Sequence, residues 1–124
     1  MTGGTARAAV ASALIAGVCT LPARADAQEA LADFKAGRFL EAAAEIQAVV
    51  DRSPGYAYGY FLLGHCMLKM GRTGDAELEF RRALRLDPAP APYAVGLALA
   101  LAAAGNWPHA IRAASEGLAR TQDP

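Results

Sequence analysis

Residues 71–88 read GRTGDAELEFRRALRLDP, and a similar sequence pattern occurs twice more in the chain. Residues 37–54 read GRFLEAAAEIQAVVDRSP, and residues 105–122 read GNWPHAIRAASEGLARTQ. One glycine recurs every 34 residues, at Gly37, Gly71 and Gly105. One alanine recurs at the same interval, at Ala42, Ala76 and Ala110. A period of this length indicates stacked supersecondary units.

The middle copy, with the residues before it, reads as a helix, a tight turn and a second helix. Residues 58–70 are apolar on all sides, as in a helix packed between neighbours. Gly71 then supplies the left-handed conformation that closes a helix end, and Thr73 or Asp75 is expected to cap the second helix. Pro88 ends that helix because proline has no N–H. Small residues are predicted to let the paired helices cross closely, at Gly64 with Ala76, Ala30 with Ala42, and Ala98 with Ala110.

The pattern resembles the tetratricopeptide repeat (TPR), whose signature is W-x2-L-G-x2-Y followed by G, A, F, A and P. Residues 57–90 match it best, with Tyr60 at the tryptophan site, Leu63–Gly64, Met67, Gly71, Ala76, Phe80, Ala83 and Pro88. Residues 23–56 and 91–124 match less well and keep the glycine and the central alanine. The departures are Glu29-Ala30 and Asp33 in the first copy and Gly117 and Gln122 in the third.

The resemblance implies an all-α fold, a TPR-type α-solenoid of three helix–turn–helix repeats wound as a right-handed superhelix. The predicted TPR domain spans residues 26–124. One helix pair cannot bury its own apolar face, so three repeats are the minimum for a continuous core.

TPR resemblance further implies that the first helix of each repeat lines a concave groove. The expected groove residues are Leu31, Phe34, Tyr58, Phe61, Leu62, His65, Leu68, Val95, Leu99 and Ala102. Because they are mostly apolar or aromatic, they predict a protein partner that inserts an apolar peptide or helix. The alternative is that Tyr58, Phe61 and Leu62 pack against neighbouring helices; Tyr60, at the consensus aromatic site, is assigned to the core.

A carboxylate clamp, as in TPR domains that hold a C-terminal carboxylate, needs Lys, Asn and Arg side chains in the groove. The matching positions here hold Ala27, Leu31, Leu62, Pro92 and Gly96. None of these side chains donates a hydrogen bond, so the sequence predicts no clamp.

The N-terminal segment, residues 1–25, has the layout of a secretory signal peptide. Arg7 precedes an uncharged apolar run of 14 residues, 8–21, and two A-x-A sites follow, so cleavage is expected after residue 25 or 27. The run is shorter than the roughly 20 residues that a spanning helix needs. The expected location is periplasmic or secreted; an uncleaved membrane anchor and a buried N-terminal helix are the alternatives.

The charge of the mature chain excludes one class of partner. Removal of residues 1–25 leaves 10 basic and 12 acidic side chains, a formal charge of −2. Nucleic acid binding depends on many contacts from Lys and Arg to phosphates, so none is expected. The single remaining cysteine, Cys66, forms no internal disulfide.

No motif for a metal, a cofactor or catalysis is present. His65 and Cys66 are adjacent on a helix and point about 100° apart, so they cannot converge on one ion. Neither HExxH, GxSxG nor a glycine-rich phosphate loop occurs. The sequence therefore predicts that the protein is not an enzyme and holds no cofactor; use of His65 as a catalytic base is the weaker alternative.

Two surface features leave further alternatives. Glu77, Arg81 and Arg85 follow one another at i, i+4 and i+8, which is typical of a solvated outer face, with a basic docking spot as the alternative. The last helix either caps the solenoid through Arg112, Glu116 and Arg120 or is covered by a partner.

The leading hypothesis is an exported adaptor in assembly of an envelope complex, associated with a membrane complex. The alternative is a self-associating structural protein whose uncapped ends stack into a homo-oligomer.

Overall fold

The computed structural model describes residues 23–122, with side chains over residues 26–120. Six α-helices make up this part of the chain, and no strand occurs in it. They are α1 (Ala23–Lys35), α2 (Phe39–Arg52), α3 (Ala57–Lys69), α4 (Thr73–Leu86), α5 (Ala91–Ala103) and α6 (Trp107–Gln122). The predicted signal peptide falls largely on residues 1–22, outside the described residues.

The first helix of each repeat ends in the same turn. The repeated glycine has a positive φ in every repeat, 84° at Gly37, 77° at Gly71 and 83° at Gly105. The N–H of the next residue donates to the carbonyl five residues before it, Arg38 to Asp33, Arg72 to Met67 and Asn106 to Leu101, at 2.8–2.9 Å. This is a Schellman motif. The predicted role of the glycines is confirmed.

The start of α4 differs from the prediction. The helix begins at Thr73 and is preceded by Arg72, which makes no side-chain capping hydrogen bond. The Arg72 carbonyl instead accepts the N–H of Ala76, so the helix starts directly after the Schellman turn and leaves no room for a separate capping residue. Asp75 lies in the first turn, where a carboxylate favours the helix dipole, and accepts a hydrogen bond from Arg72 at 2.8 Å.

The end of α4 follows the prediction. The helix stops at Leu86, two residues before Pro88, and Asp87 has extended backbone angles (φ −149°, ψ 98°). The residue before a proline is pushed out of the helical region by the proline ring.

The six helices form two layers. In the inner layer, α3 contacts both α1 and α5. In the outer layer, no Cα atom of α2, α4 or α6 lies within 8 Å of a Cα atom of another of these helices, over residues 23–122. Helices that touch on one side and diverge on the other curve the stack toward the touching side. The molecule is therefore a TPR-type α-solenoid with α1, α3 and α5 on its concave face, as predicted.

The core consists of two hydrophobic clusters joined through α3. The first contains buried residues of α1, α2 and α3, and the second contains buried residues of α4, α5 and α6. Phe61 and Met67 on α3 pack against both. Tyr60 packs against the first cluster, in agreement with its assignment to the core.

Phe80 of α4 lies at the centre of the second cluster with no exposed surface. A methyl group placed on Gly64 of α3 or on Gly96 of α5 would lie 2.7 or 2.4 Å from its ring carbons. The helices α3 and α5 can both approach the Phe80 ring of α4 closely because each places a glycine, without a Cβ atom, against it. Within residues 23–122, no helix is both long and apolar enough to cross a lipid bilayer.

Candidate partner-binding groove

Aromatic rings cross the inner layer from the first repeat to the third. Phe34 of α1 lies 6.4 Å from the His65 ring of α3, and His65 lies 4.6 Å from Phe61, edge to face. Phe61 in turn lies 5.0 Å from Tyr93 of α5. Centroid distances of 4.5–7 Å are those of interacting aromatic pairs. One continuous run of rings therefore connects all three inner helices.

The run continues toward the start of α3. Tyr58 lies 5.7 Å from Phe61, and Tyr56 lies 6.1 Å from Tyr58. These two tyrosines line a cavity of about 320 Å³ together with Leu31 of α1. Leu31 and Tyr58 were predicted groove residues, whereas Tyr56 was missed because it precedes the helix and has no fixed place in the repeat pattern.

The inner face of α5 is the open part of this surface. Val95 and Leu99, one helical turn apart, are 51% and 50% exposed. Leu68 and Ala102 are half-buried and pack against the second core cluster. We name as the inner groove the surface formed by Leu31, Phe34, Tyr58, Phe61, His65, Leu68, Val95 and Leu99.

Leu62 differs from the other predicted groove residues. It is 6% exposed and belongs to the first core cluster. Neighbouring residues on a helix point about 100° apart, so Phe61 and Leu62 cannot face the same side. Phe61 lies in the ring run, and Leu62 lies in the core.

His65 is half-buried among rings. Besides Phe34 and Phe61, Phe80 stands 5.1 Å from it at an interplanar angle of 83°. Burial lowers the pKa of the imidazole, and the positive charge of Lys69 lowers it further. The neutral ring is therefore favoured. Neither cause involves a carboxylate, and no hydrogen bond or ion pair joins His65 to an Asp or Glu among the described residues that would orient it as a base.

Metal-ligand chemistry is also absent from the described part of the chain. No group of three His, Cys, Asp or Glu side chains within it could hold an ion. The Cys66 thiol is buried in the first cluster, and burial raises its pKa to about 11.

A larger cavity, of about 430 Å³, lies on the opposite, convex side between α4 and α6. We name it the outer trough; its floor is Ala94, Leu97 and Ala113, and Arg81, Arg85 and Arg120 edge it. This cavity was not predicted from the sequence. The sequence feature that could have indicated it is Ala94, a small residue at the position where the second repeat has the large Tyr60.

The chain matches a known family. A family model described as Tetratricopeptide repeat matches residues 28–89 and 67–124, which together cover most of the chain. No curated protein sequence matches the chain.

Solved structures resemble the fold closely at low sequence identity. The type III secretion translocator chaperone SycD of Yersinia enterocolitica superposes with a TM-score of 0.80 at 15% identity, over 90% of this chain and 84% of that one. MamA gives 0.77 at 20% identity, over 85% of this chain and 61% of MamA. An O-GlcNAc transferase of Thermobaculum terrenum gives 0.76 at 27% identity, over 82% of this chain and 19% of the transferase. The chain thus spans about three fifths of MamA and one fifth of the transferase.

Proposed function

Because the chain belongs to the tetratricopeptide repeat family, whose members serve as scaffolds for protein–protein interaction, we propose that it is a non-catalytic adaptor. Its partner is a protein that lays an apolar peptide or helix into the inner groove. The observation that carries this proposal is the run of half-buried rings from Phe34 through His65 to Phe61, which the buried Tyr93 of α5 supports from below.

The chemistry of the inner groove supports an apolar occupant. None of its eight residues carries a formal charge when His65 is neutral, and the half-buried rings lose little conformational freedom on binding. Aromatic side chains in partly desolvated sites dominate binding energy at protein interfaces. Val95 and Leu99 extend this surface with exposed aliphatic groups that a helix could cover.

The test is affinity capture from an envelope extract, with paired variants. Val95→Asp with Leu99→Asp places two charges on exposed sites of the inner groove, so the fold should be retained. Leu40→Asp, on α2 in the outer layer, is the matched control because Leu40 is also exposed and apolar. Loss of the captured protein in the first variant alone is expected. Equal recovery from both variants would exclude the inner groove as the binding site.

We further propose that the adaptor is exported and works in assembly of an envelope complex. Asp26 in the first turn of α1 accepts a hydrogen bond from Arg52 at 2.7 Å, and Ala27 is buried in the first cluster. Cleavage after residue 25 keeps both contacts, whereas cleavage after residue 27 removes them. Intact mass and N-terminal sequencing of the protein from the periplasmic fraction test this choice. If the protein is recovered from the membrane fraction and still carries residues 1–25, an uncleaved anchor is favoured instead.

Self-association is the second candidate, and α6 is the observation that favours it. Ile111 and Leu118, seven residues apart, are 64% and 61% exposed. The equivalent residues of α2, two repeats earlier, are Ala43 and Val50, which are buried in the core. Over residues 26–35, by contrast, the exposed side chains of α1 are Gln28, Glu29, Ala32 and Lys35, and none of them is a large apolar group. A second copy is therefore more compatible with contact through α6 than with end-to-end stacking.

Sedimentation velocity over a concentration series distinguishes the two candidates. Contact through α6 predicts a mass that rises with concentration and falls back to the monomer in Ile111→Glu. A monomer at high micromolar concentration would exclude self-association and leave the adaptor proposal intact.

A further inference from the structure

We propose that the outer trough is a second binding site, which takes an acidic segment of a protein partner with one bulky apolar anchor residue. It lies on the convex side of the solenoid, away from the inner groove, so the proposal does not depend on the function assigned to that groove. Both sites can be occupied at once.

The outer trough exists because the third repeat lacks an aromatic residue that the second repeat has. Tyr60 packs against the first core cluster, and the residue 34 positions later is Ala94. A methyl group on Gly117 of α6 would lie 2.4 Å from Cβ of Ala94, so α5 and α6 approach too closely for a ring at this position. Likewise Ala113 occupies the position of the buried Glu79. Two small residues thus line the outer trough at positions where larger side chains stand one repeat earlier.

The floor of the outer trough is suited to an apolar anchor. Ala94, Leu97 and Ala113 are buried, and Leu84 beside them is half-buried. A cavity of about 430 Å³ is within the range of ligand sites in proteins. A bulky apolar anchor from outside would lie on this floor, between α4 and α6.

The edge of the outer trough is basic. Arg81, Arg85 and Arg120 line it against one acidic residue, Glu116. Arg81 donates to Glu77 at 3.0 Å, whereas Arg85 and Arg120 form no ion pair with any residue in the described part of the chain. Guanidinium groups bind carboxylates through two parallel hydrogen bonds.

The basic edge is specific to this pair of repeats. One repeat earlier, Gln47, Asp51 and Leu86 stand at the positions of the three arginines, and Arg82 stands at the position of Glu116, so that edge carries one charge of each sign. Gln47 donates to Asp51 at 2.9 Å, so that surface satisfies its own polar groups. A solvated outer face alone gives no reason for the change to three arginines beside an open cavity, whereas an acidic occupant does.

An extended segment of a protein fits the outer trough better than a small ligand. Over residues 23–122, no Cα atom of α4 lies within 8 Å of a Cα atom of α6, so these two walls stand apart and leave the cavity open between them. Leu78 on the α4 side is an exposed apolar residue that a segment lying along the helix would cover. These features resemble a helix-in-groove site with a charged rim.

Fluorescence anisotropy with a synthetic probe tests the proposal on the mature chain. The probe is a labelled amphipathic peptide with Glu at its polar positions and a single Trp among Leu residues on its apolar face. Two control peptides replace every Glu by Lys or the Trp by Ala. We expect the Glu–Trp peptide to bind and both controls to bind at least tenfold more weakly.

Charge-reversal variants locate the bound peptide. Arg120→Glu and Arg85→Glu should each weaken binding about tenfold, equivalent to about 1.4 kcal/mol. Arg112→Glu is the matched control for Arg120→Glu, because Arg112 is exposed on the same helix but does not line the outer trough. It should change binding less than twofold. Ala113→Leu, which fills part of the floor, should weaken binding of the Trp peptide while circular dichroism shows the folded helix content.

Three results would overturn the proposal. The first is equal binding by Arg85→Glu, Arg120→Glu and Arg112→Glu, and the second is equal binding of the Glu and Lys peptides. The third is loss of binding in Val95→Asp with Leu99→Asp, because the peptide would then occupy the inner groove. Binding of free oleate at this site without binding of the peptide would assign it to a small amphipathic anion instead.

Discussion

Phe80 sets the distance between three helices with one side chain. Its ring lies between the backbones of α3 and α5 at Gly64 and Gly96, and it also stands 6.0 Å from Phe61. The TPR pattern explains Gly64, which is part of the signature, but Gly96 is specific to this chain. Because a buried ring is rigid, any added volume at either glycine has to move a helix.

Gly64→Ala should therefore destabilise the protein by about 1–3 kcal/mol, the usual cost of overpacking a core. Gly74→Ala is the matched control, since Gly74 lies in α4 with nothing within 4 Å of the added methyl group. Alanine is the better helix former by up to about 1 kcal/mol, so this variant should be neutral or more stable. Urea unfolding followed by circular dichroism measures both. A loss in Gly64→Ala no larger than in Gly74→Ala would mean that Phe80 is not tightly held.

His65 should make stability depend on pH. Burial, and then Lys69, lowers its pKa below 6.5, so the folded state resists a proton that the unfolded state accepts. As pH falls through about 6.5, the free energy of unfolding should decrease, and above that pH the effect should be absent. The measurement is urea unfolding between pH 8 and 5.5.

Comparison of two variants isolates this effect of His65. His65→Leu should remove the decrease in stability below pH 6.5. His109→Gln, which removes the other histidine of the chain, should keep it. An identical pH dependence in wild type and His65→Leu would assign the effect to other groups.

At the scale of the element, the Schellman turn is the repeated unit. Gly71 has a φ of 77°, which costs about 1–2 kcal/mol for a residue with a Cβ atom. Gly71→Ala should lower the free energy of unfolding by about that amount, with no cavity and no lost contact, because nothing lies within 4 Å of the added methyl group. Gly55→Ala, in a turn without positive φ and equally open, should be close to neutral. Equal effects of the two substitutions would contradict a conformational cause.

The helices and their stops were predictable because each depends on a local property of the backbone. Glycine at the turn and proline after α4 act within a few residues of their own position. The start of α4 was not predicted correctly, because Arg72 belongs to the Schellman turn and is also the residue directly before the helix. Thr73 is therefore already helical and cannot act as a separate capping residue. At Asp33, Met67 and Leu101 the repeat requires a carbonyl rather than a side chain, so the residue type changes while the hydrogen bond stays.

At the scale of the whole molecule, α3 holds the two core clusters together. Phe61 and Met67 pack on both, whereas among residues 23–122 the Cα atoms of α1 lie within 8 Å of those of α2 and α3 only, and those of α6 within 8 Å of those of α5 only. In repeat proteins, terminal units have a neighbour on one side only and open first. Hydrogen exchange read by mass spectrometry should therefore be slowest in α3 and α4 and faster in α1 and α6. Uniform exchange over the six helices would indicate a single cooperative unit.

The binding surfaces were only partly predictable from the sequence, because one of them depends on how different repeats pack together. The residues of the inner groove were predicted from repeat position, and their binding of a partner stays a prediction; Leu62 lies in the first core cluster, which was the alternative for this residue. The outer trough depends on Ala94 meeting Gly117 across two helices, and on arginines from α4 and α6. No single repeat contains this combination. It is visible only when two repeats are compared position by position.

The uniform turns at Gly37, Gly71 and Gly105 determine the shape of the solenoid, whereas residues at other positions of each repeat form the surface that would contact a partner. Groove positions vary freely between them, since the ninth position of the three repeats is Leu31, His65 and Leu99 in turn. Mutation can thus change what the concave face prefers without altering the angles between helices. A lineage built this way can exchange ligands while preserving its architecture, and a designer could graft an inner face from one copy onto another.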